Sequence, residues 1–382
     1  MRAFLILPLT AALFAAGCGK EEPAAPTTAG EPTPAPAPAQ MAKELNVYNW
    51  SDYISEDAIE NFEKETGIKV TYDVFDSNEV LEAKLVAGNT GYDIVVPSLS
   101  FLGRQVQAGV FQPLDKSRLS NYANLDPELM GRIAQTDADN AHSVPYLWGT
   151  TGIGYNVGKI NEIFGEGTEI TSWDYFFKPE NLAKLHACGV AVLDTPQEIV
   201  PAALNYLGED PNSFDPAVIA KAEELLKSIR PHITYFHSSQ FINDLANGDI
   251  CFAVGWSGDI LQAADRAEEA AAGVEVAYVI PNEGAGMWFD MLAIPKDARH
   301  VDNAYAFIDY LLRPEVMAGI QNYVAYASAN AAALPLVDEE IRTDPGVYPT
   351  DEAKKRLYTF AVLPPEVDRL YTRLWTTLKT GQ

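Results

Sequence analysis

Metal and nucleophile chemistry is thinly provided for in this chain: three Cys and five His are spread over 382 residues. The two nearest His, His232 and His237, are five apart, which suits neither one helix face nor a zinc-binding spacing. Basic residues are outnumbered, 27 Lys and Arg against 53 Asp and Glu, for a net charge of −26. Such a chain lacks the basic footprint that nucleic-acid binding requires. Cofactor and nucleophile fingerprints are missing too. Gly255-Trp256-Ser257-Gly258-Asp259 lacks the last glycine of a nucleophile elbow, and no glycine-rich loop ends in Gly-Lys-Ser or Gly-Lys-Thr. Gly152-Ile153-Gly154 with Gly158 misses the dinucleotide fingerprint by one position. Beyond the N-terminus, no stretch approaches about 18 apolar residues without a charge. These absences argue against an enzyme and against a membrane-spanning body.

The N-terminus is different in kind. After Met1 and Arg2, Ala3 to Ala16 is an apolar run of 14 residues broken only by Pro8 and Thr10. It is too short to span a bilayer and has the length of a secretion signal's apolar region. The run ends in Ala15-Ala16-Gly17-Cys18, similar to the cleavage site of bacterial lipoproteins, in which the Cys is acylated. The alternative is an ordinary signal peptide with an incidental Cys. Residues 21–40 hold six Pro and six Ala and cannot bury enough apolar surface to fold. A Pro-rich tether of that length reaches roughly 60 Å, which suits a lipid-anchored body. Cleavage after Gly17 would leave a charge of −27, because only Arg2 is lost. With Cys18 on the lipid, Cys188 and Cys251 remain: a disulfide in an oxidising compartment, or two buried thiols.

From about residue 43 the composition is globular, and some 340 residues suggest two domains. Strands and helices alternate. Leu45 to Asn49, Ile68 to Val74 and Tyr92 to Val96 read as strands. Helices are expected from Ser55 to Gly67 and from Glu79 to Ala87, with acids in the first turn and Gly beyond the last. After a loop-rich stretch at 112–143, strands are expected at 152–156, 190–193, 233–236, 250–254 and 274–280. Further helices are expected at 216–229, 259–272, 303–312 and 351–361. Repeated βαβ units imply an α/β fold with a mostly parallel sheet.

In an open α/β sheet, ligands bind beyond the carboxyl ends of the strands. Those ends carry Trp50, Ser51, Asp52 and Tyr53; Ser98, Ser100 and Phe101; Asp194, Thr195 and Glu198; Trp256 and Asp259; and Trp288, Phe289 and Asp290. Acids and aromatics stand where phosphate-binding glycines or arginines would otherwise be. A cation gains roughly 0.5–2 kcal/mol over an aromatic face and a charge-assisted hydrogen bond from a carboxylate. The acidic field would also draw polycations in, although acidity is common among exported proteins for solubility alone. Any single Asp here could equally be a helix cap, and any single Trp a core residue; five ends in agreement favour the cationic ligand.

Val47-Tyr48-Asn49-Trp50-Ser51-Asp52-Tyr53-Ile54, together with 72–81, 95–102, 150–157, 235–251 and 310–316, closely resembles the bacterial periplasmic polyamine-binding proteins, above all the putrescine receptors. The resemblance runs from Leu45 to Lys379. It implies a two-lobed, type II periplasmic binding protein with a ligand cleft between its lobes. The expected organisation is a signal peptide at 1–17, a lipidated tether at 18–42, lobe 1 at 43–149 plus 289–338, and lobe 2 at 150–288 plus 339–382. It implies a monomeric receptor, without cofactor or metal, that delivers a polyamine to an inner-membrane ABC permease; the competing role is a sensor that presents the polyamine to a membrane signalling protein. Carried over residue by residue, Asp52 and Ser51 would take one ammonium, with Trp50 and Tyr53 nearby. Asp259 and Asp290 would take the other, with Glu198 close by; Trp256, Trp288, Phe101 and Tyr326 would wall the cleft, and Ser98 and Ser100 would line it. Cys188 and Cys251 match a disulfide pair in the family. For chain length the resemblance divides: Trp288 matches spermidine receptors, whereas neutral Thr195 matches putrescine receptors.

Overall fold

The structure, a computed structural model, describes residues 43–271 and 273–381. The expected signal peptide and tether, Cys18 included, lie outside the described residues. Eleven strands occur among them: β1 (Glu44–Trp50), β2 (Lys69–Phe75), β3 (Ile94–Val95), β4 (Ser143–Asn156), β5 (Val190–Val192), β6 (Tyr235–Phe236), β7 (Phe252–Trp256), β8 (Val276–Val279), β9 (Ala285–Ala293), β10 (Ala327–Ser328) and β11 (Leu357–Thr359). The main path of the sheet runs β2-β1-β3-β9-β4-β7-β5-β6. At each end the pairing is parallel, β2-β1-β3 on one side and β7-β5-β6 on the other, as the βαβ pattern demands. The two halves meet through antiparallel strands, β9 against β3, then β4 against both β9 and β7.

Two buried cores flank this junction. The first gathers Leu45, Phe62, Ile94 and Tyr146 with Phe289 and Phe307. The second gathers Ile153, Trp173, Val192, Phe241 and Val254 with Tyr371 and Trp375. β4 is buried along its whole length and contributes to both, through Tyr146 and Leu147 at one end and Ile153 and Tyr155 at the other. The parallel pairing expected from the βαβ pattern therefore holds at the two ends of the sheet and not at its centre, where β4 pairs antiparallel with β7, β8, β9 and β10. β4 is longer than the five-residue strand expected at 152–156, and β9 is a strand that the sequence pattern does not announce. Both are buried on every face, so neither shows the alternation by which a half-exposed strand is read.

The helices follow local chemistry. Glu56–Thr66 carries Glu56 and Asp57 in its first turn and stops at Gly67, whose φ of 70° is the left-handed conformation glycine adopts without penalty. Asn78–Ala87 is capped by the Ser77 hydroxyl, which accepts from Val80 N. Toward the C-terminus the expected helix at 351–361 is corrected: only Asp351–Lys354 is helical, and Leu357–Thr359 becomes β11 beside β9. Its Leu-Tyr-Thr triplet suits a strand once a partner edge is present. The long last helix is Pro365–Thr380, which places Val367, Tyr371, Leu374, Trp375 and Leu378 in the second core. Each such side chain contributes roughly 1.5–3 kcal/mol of burial. Cys188 and Cys251 form a disulfide with Cα atoms 5.5 Å apart, tying the approach to β5 to the start of β7.

Candidate ligand-binding site

The ends of β1, β2, β6 and β7 converge with the turns after β3 and β5 on one cavity, open at one side. β1 delivers Trp50, Ser51 and Tyr53. Ser98 stands at the N-terminal end of the helix Leu99–Gln107, Glu198 in the first turn of Pro196–Tyr206, and Asp259 in the first turn of Ser257–Glu269. β7 ends in Trp256, β9 supplies Trp288 and Asp290 from its middle, and Tyr326 follows the helix Pro314–Val324.

The walls are a chain of aromatic edges. Trp50 meets Trp256 at 5.5 Å between ring centroids, Trp256 meets Trp288 at 6.5 Å, and Trp288 meets Tyr326 at 5.3 Å. Tyr326 in turn meets Tyr53 at 5.2 Å. Edge-to-face contacts of this kind hold the rings without closing the space between them. Gly258 makes one approach possible: a Cβ there would lie 2.5 Å from the Tyr326 ring. Ala325 holds φ at 53°, a strained conformation for alanine, immediately before Tyr326.

Besides the exposed Asp76, three carboxyls face this space, each held by hydroxyl or indole donors. Asp290 accepts from Ser98 Oγ at 2.6 Å and from Tyr53 Oη at 2.9 Å. Asp259 accepts from Tyr326 Oη at 2.7 Å, while its own N–H donates back to that oxygen at 3.0 Å. Glu198 accepts from Trp256 Nε1 at 3.0 Å and from the Thr151 hydroxyl. Burial disfavours the charged form and pushes all three carboxyls up to about 7, despite these donors. Asp290 also raises Asp259 and Glu198 through its charge, so it is electrostatically linked to both. Of the described residues that line the cavity, none is Lys, Arg or His. The cavity is thus an acidic chamber with no counter-charge of its own.

The structure brings together Trp50, Ser51, Tyr53, Ser98, Glu198, Trp256, Asp259, Trp288, Asp290 and Tyr326. It does not place Asp52, Ser100 or Phe101 in the cavity wall. The Asp52 carboxylate is exposed and paired with Arg266 Nη2 at 2.7 Å, in a turn where its φ is 53°. Ser100 and Phe101 line a separate recess with Arg104, whose guanidinium lies 4.1 Å from the centre of the Phe101 ring. Thr195 lies outside the lining as well. Phe75, Asp76, Ser238 and Ser239 also line the cavity and are absent from the residues expected there. The strand-end rule is the signal that points to them, because Phe75 and Asp76 close β2 and the two serines follow β6.

Around the rim, acids are paired. Arg104 bridges Glu82 at 2.6 Å and Asp368 at 2.9 Å. Arg104 and Glu82 stand beside the first core, whereas Asp368 sits on the helix that packs into the second. Asp52 and Arg266 join the two sides in the same way.

Comparison with known proteins agrees with this architecture. Residues 57–350 match the family model of the bacterial extracellular solute-binding proteins. A putrescine-binding periplasmic protein of Escherichia coli K12 is 57% identical over 345 residues, covering 90% of this chain and 93% of that protein. A spermidine/putrescine-binding periplasmic protein of Salmonella typhimurium is 36% identical over 306 residues, covering 80% and 83%. A solved spermidine/putrescine ABC transporter protein from Listeria monocytogenes superposes with a TM-score of 0.78 at 35% identity, over 89% of this chain and all of that one.

Proposed function

The chain belongs to the bacterial extracellular solute-binding proteins, and from that premise we propose that it captures a polyamine, putrescine or spermidine, in the periplasm and delivers it to an ABC-type importer. One observation carries the choice of ligand: buried Asp259 and Asp290 and half-buried Glu198 share an aromatic-walled cavity whose described lining holds no protein cation. A protonated alkylamine supplies the missing charge at each end and apolar methylenes for the indole walls. Tyr53, Ser98 and Tyr326 hold the carboxylates in place, so little reorganisation is needed when the amine arrives. Trp50, Trp256 and Trp288 form the flat walls, and Ser51 lines the mouth.

The protein has no bond to make or break in this role. We assign lobe 1 to 43–149 plus 289–338 and lobe 2 to 150–288 plus 339–382. The two buried cores support this division, except that Met287, Trp288, Leu261, Ile341, Val347, Tyr348, Leu357 and Phe360 pack in or against the first core and Trp256 packs against both. Acylation of Cys18 and the Pro-rich tether would hold the receptor, as a monomer, at a membrane surface. Calorimetric titration with putrescine, spermidine, cadaverine and arginine tests the reading. Heat and a raised melting temperature are expected with putrescine or spermidine at micromolar concentration or below; silence with all three polyamines would sink it.

A further inference from the structure

The cavity poses a problem of charge balance. Four acids line it: Asp76, which is exposed to solvent, and a less exposed set of three, Glu198, Asp259 and Asp290; the described lining offers no cation. A diamine brings two positive charges and a triamine brings three. Burial makes any uncompensated charge in this space expensive, so bound ligand and ionised carboxyls should match in number. We propose, resting on the polyamine reading above, that the three carboxyls act as one charge-counting unit: with a diamine bound they retain one shared proton, and with a triamine bound they retain none.

The arrangement supports a shared proton. Glu198, Asp259 and Asp290 come from three different elements, and Asp290 acts electrostatically on both of the others. Interacting acids of this kind titrate as a set. Each has a hydroxyl or indole donor that steadies the ionised form without supplying charge. The remaining titratable neighbours are few. Glu79, Tyr278 and Tyr358 are near Glu198, and Asp52, Arg266 and Tyr326 are near Asp259. Tyr53 and Tyr326 flank Asp290. The tyrosines stay neutral because burial and the adjoining acids raise them. Arg266 is engaged by Asp52, whose charge raises Asp259 more than Arg266 lowers it. Glu79 is itself held up at about 7 by burial and deepens the negative field around Glu198.

The proton balance is explicit. From the same free protein, triamine binding releases one more proton to solvent than diamine binding. The logarithm of the affinity ratio then changes by one for each pH unit, so rising pH favours the triamine about tenfold per unit near neutrality. Alkyl ammonium groups, which titrate near 10 in the lysine side chain, stay charged over this range.

Calorimetry in buffers of different ionisation enthalpy counts the protons directly. Putrescine and spermidine would be titrated into the protein from about pH 6 to 7.5. A difference of about one proton between the two ligands, and a spermidine-to-putrescine affinity ratio that climbs with pH, are expected. Equal proton counts with a pH-independent ratio would overturn the proposal while leaving the polyamine reading intact. Failure of both ligands to bind would instead overturn that reading and this one with it. Glu198→Gln and Asp290→Asn, of nearly unchanged shape, each remove one titrating group. Either variant that binds should lose the proton difference; retention of the full difference in both would place the proton outside this set and overturn the proposal.

Discussion

Acidic side chains do two opposite things in this molecule, depending on where they stand. On the rim, Asp52, Glu82 and Asp368 are matched with Arg266 and Arg104 at 2.6–2.9 Å. In the cavity, Glu198, Asp259 and Asp290 meet only hydroxyl and indole donors, with no Lys, Arg or His among the described lining residues. The rim acids are satisfied within the protein, so they can hold the two sides of the cleft together. The cavity acids are satisfied only from outside, which is what a receptor for a cation needs. Charge count alone does not separate the two groups; partner identity does.

The sharpest way to break this contrast is to remove a cavity acid. Asp259→Ala or Asp290→Ala should weaken polyamine binding at least tenfold, because losing one partner of a buried charge pair typically costs roughly 2–5 kcal/mol. Unchanged calorimetric affinity in both would mean that the cavity acids are no different from those on the rim. Ligand itself should stabilise the protein by about 2.7 kcal/mol at 100 times its dissociation constant, read as a shift in melting temperature.

The contrast has a pH signature as well. The cavity carboxyls are raised to about 7, above their range near 4 in an unfolded chain, so the unfolded state binds fewer protons between these values. Stability without ligand should therefore be highest in mild acid and fall as pH rises through about 7. Saturating polyamine should flatten that fall. A ligand-free melting temperature that rises steadily from pH 5 to 7.5 would contradict the uncompensated burial.

Smaller effects sharpen the picture. Trp288→Phe trims the wall that meets Trp256 and Tyr326 and should shift preference toward putrescine by roughly fivefold, the scale of a single cation–aromatic contact. An unchanged putrescine-to-spermidine ratio would discredit Trp288 as a selector. Least affected should be Arg266→Ala, which breaks a partly exposed pair worth about 0–1 kcal/mol. Its loss of affinity should shrink further in high salt; a loss as large as that of Asp259→Ala would move Asp52 and Arg266 from rim to site.

Much of the cavity is legible in the amino-acid sequence. Acids and aromatics at successive strand ends mark it, because βαβ topology brings those ends together whatever the loops do. Gly67, Ser77 and the acidic first turns set helix ends through local backbone chemistry. The features that escape a sequence reading share a different cause. β4 and β9 are buried throughout, so no alternation marks them. Leu357–Thr359 is a strand because β9 offers an edge, which is a tertiary fact. Asp52 is one residue from Ser51 and Tyr53, yet its left-handed turn sends the carboxylate outward to Arg266, and no spacing rule encodes that direction. Phe101 sits beside the correct strand end, but Arg104 covers its ring from one turn onward.

The aromatic wall has an optical consequence. Three of the six tryptophans of the chain meet at the cleft, and Trp50 and Trp256 touch across it, at 5.5 Å, from opposite sides of the sheet junction. Indoles this close share excitation and quench one another according to their separation. Opening of the cleft would part Trp50 from Trp256 while leaving Trp148, Trp173 and Trp375 in their cores. Were the cleft to open, the separation of Trp50 from Trp256 would be a fluorescent gauge of that motion, readable without any attached dye.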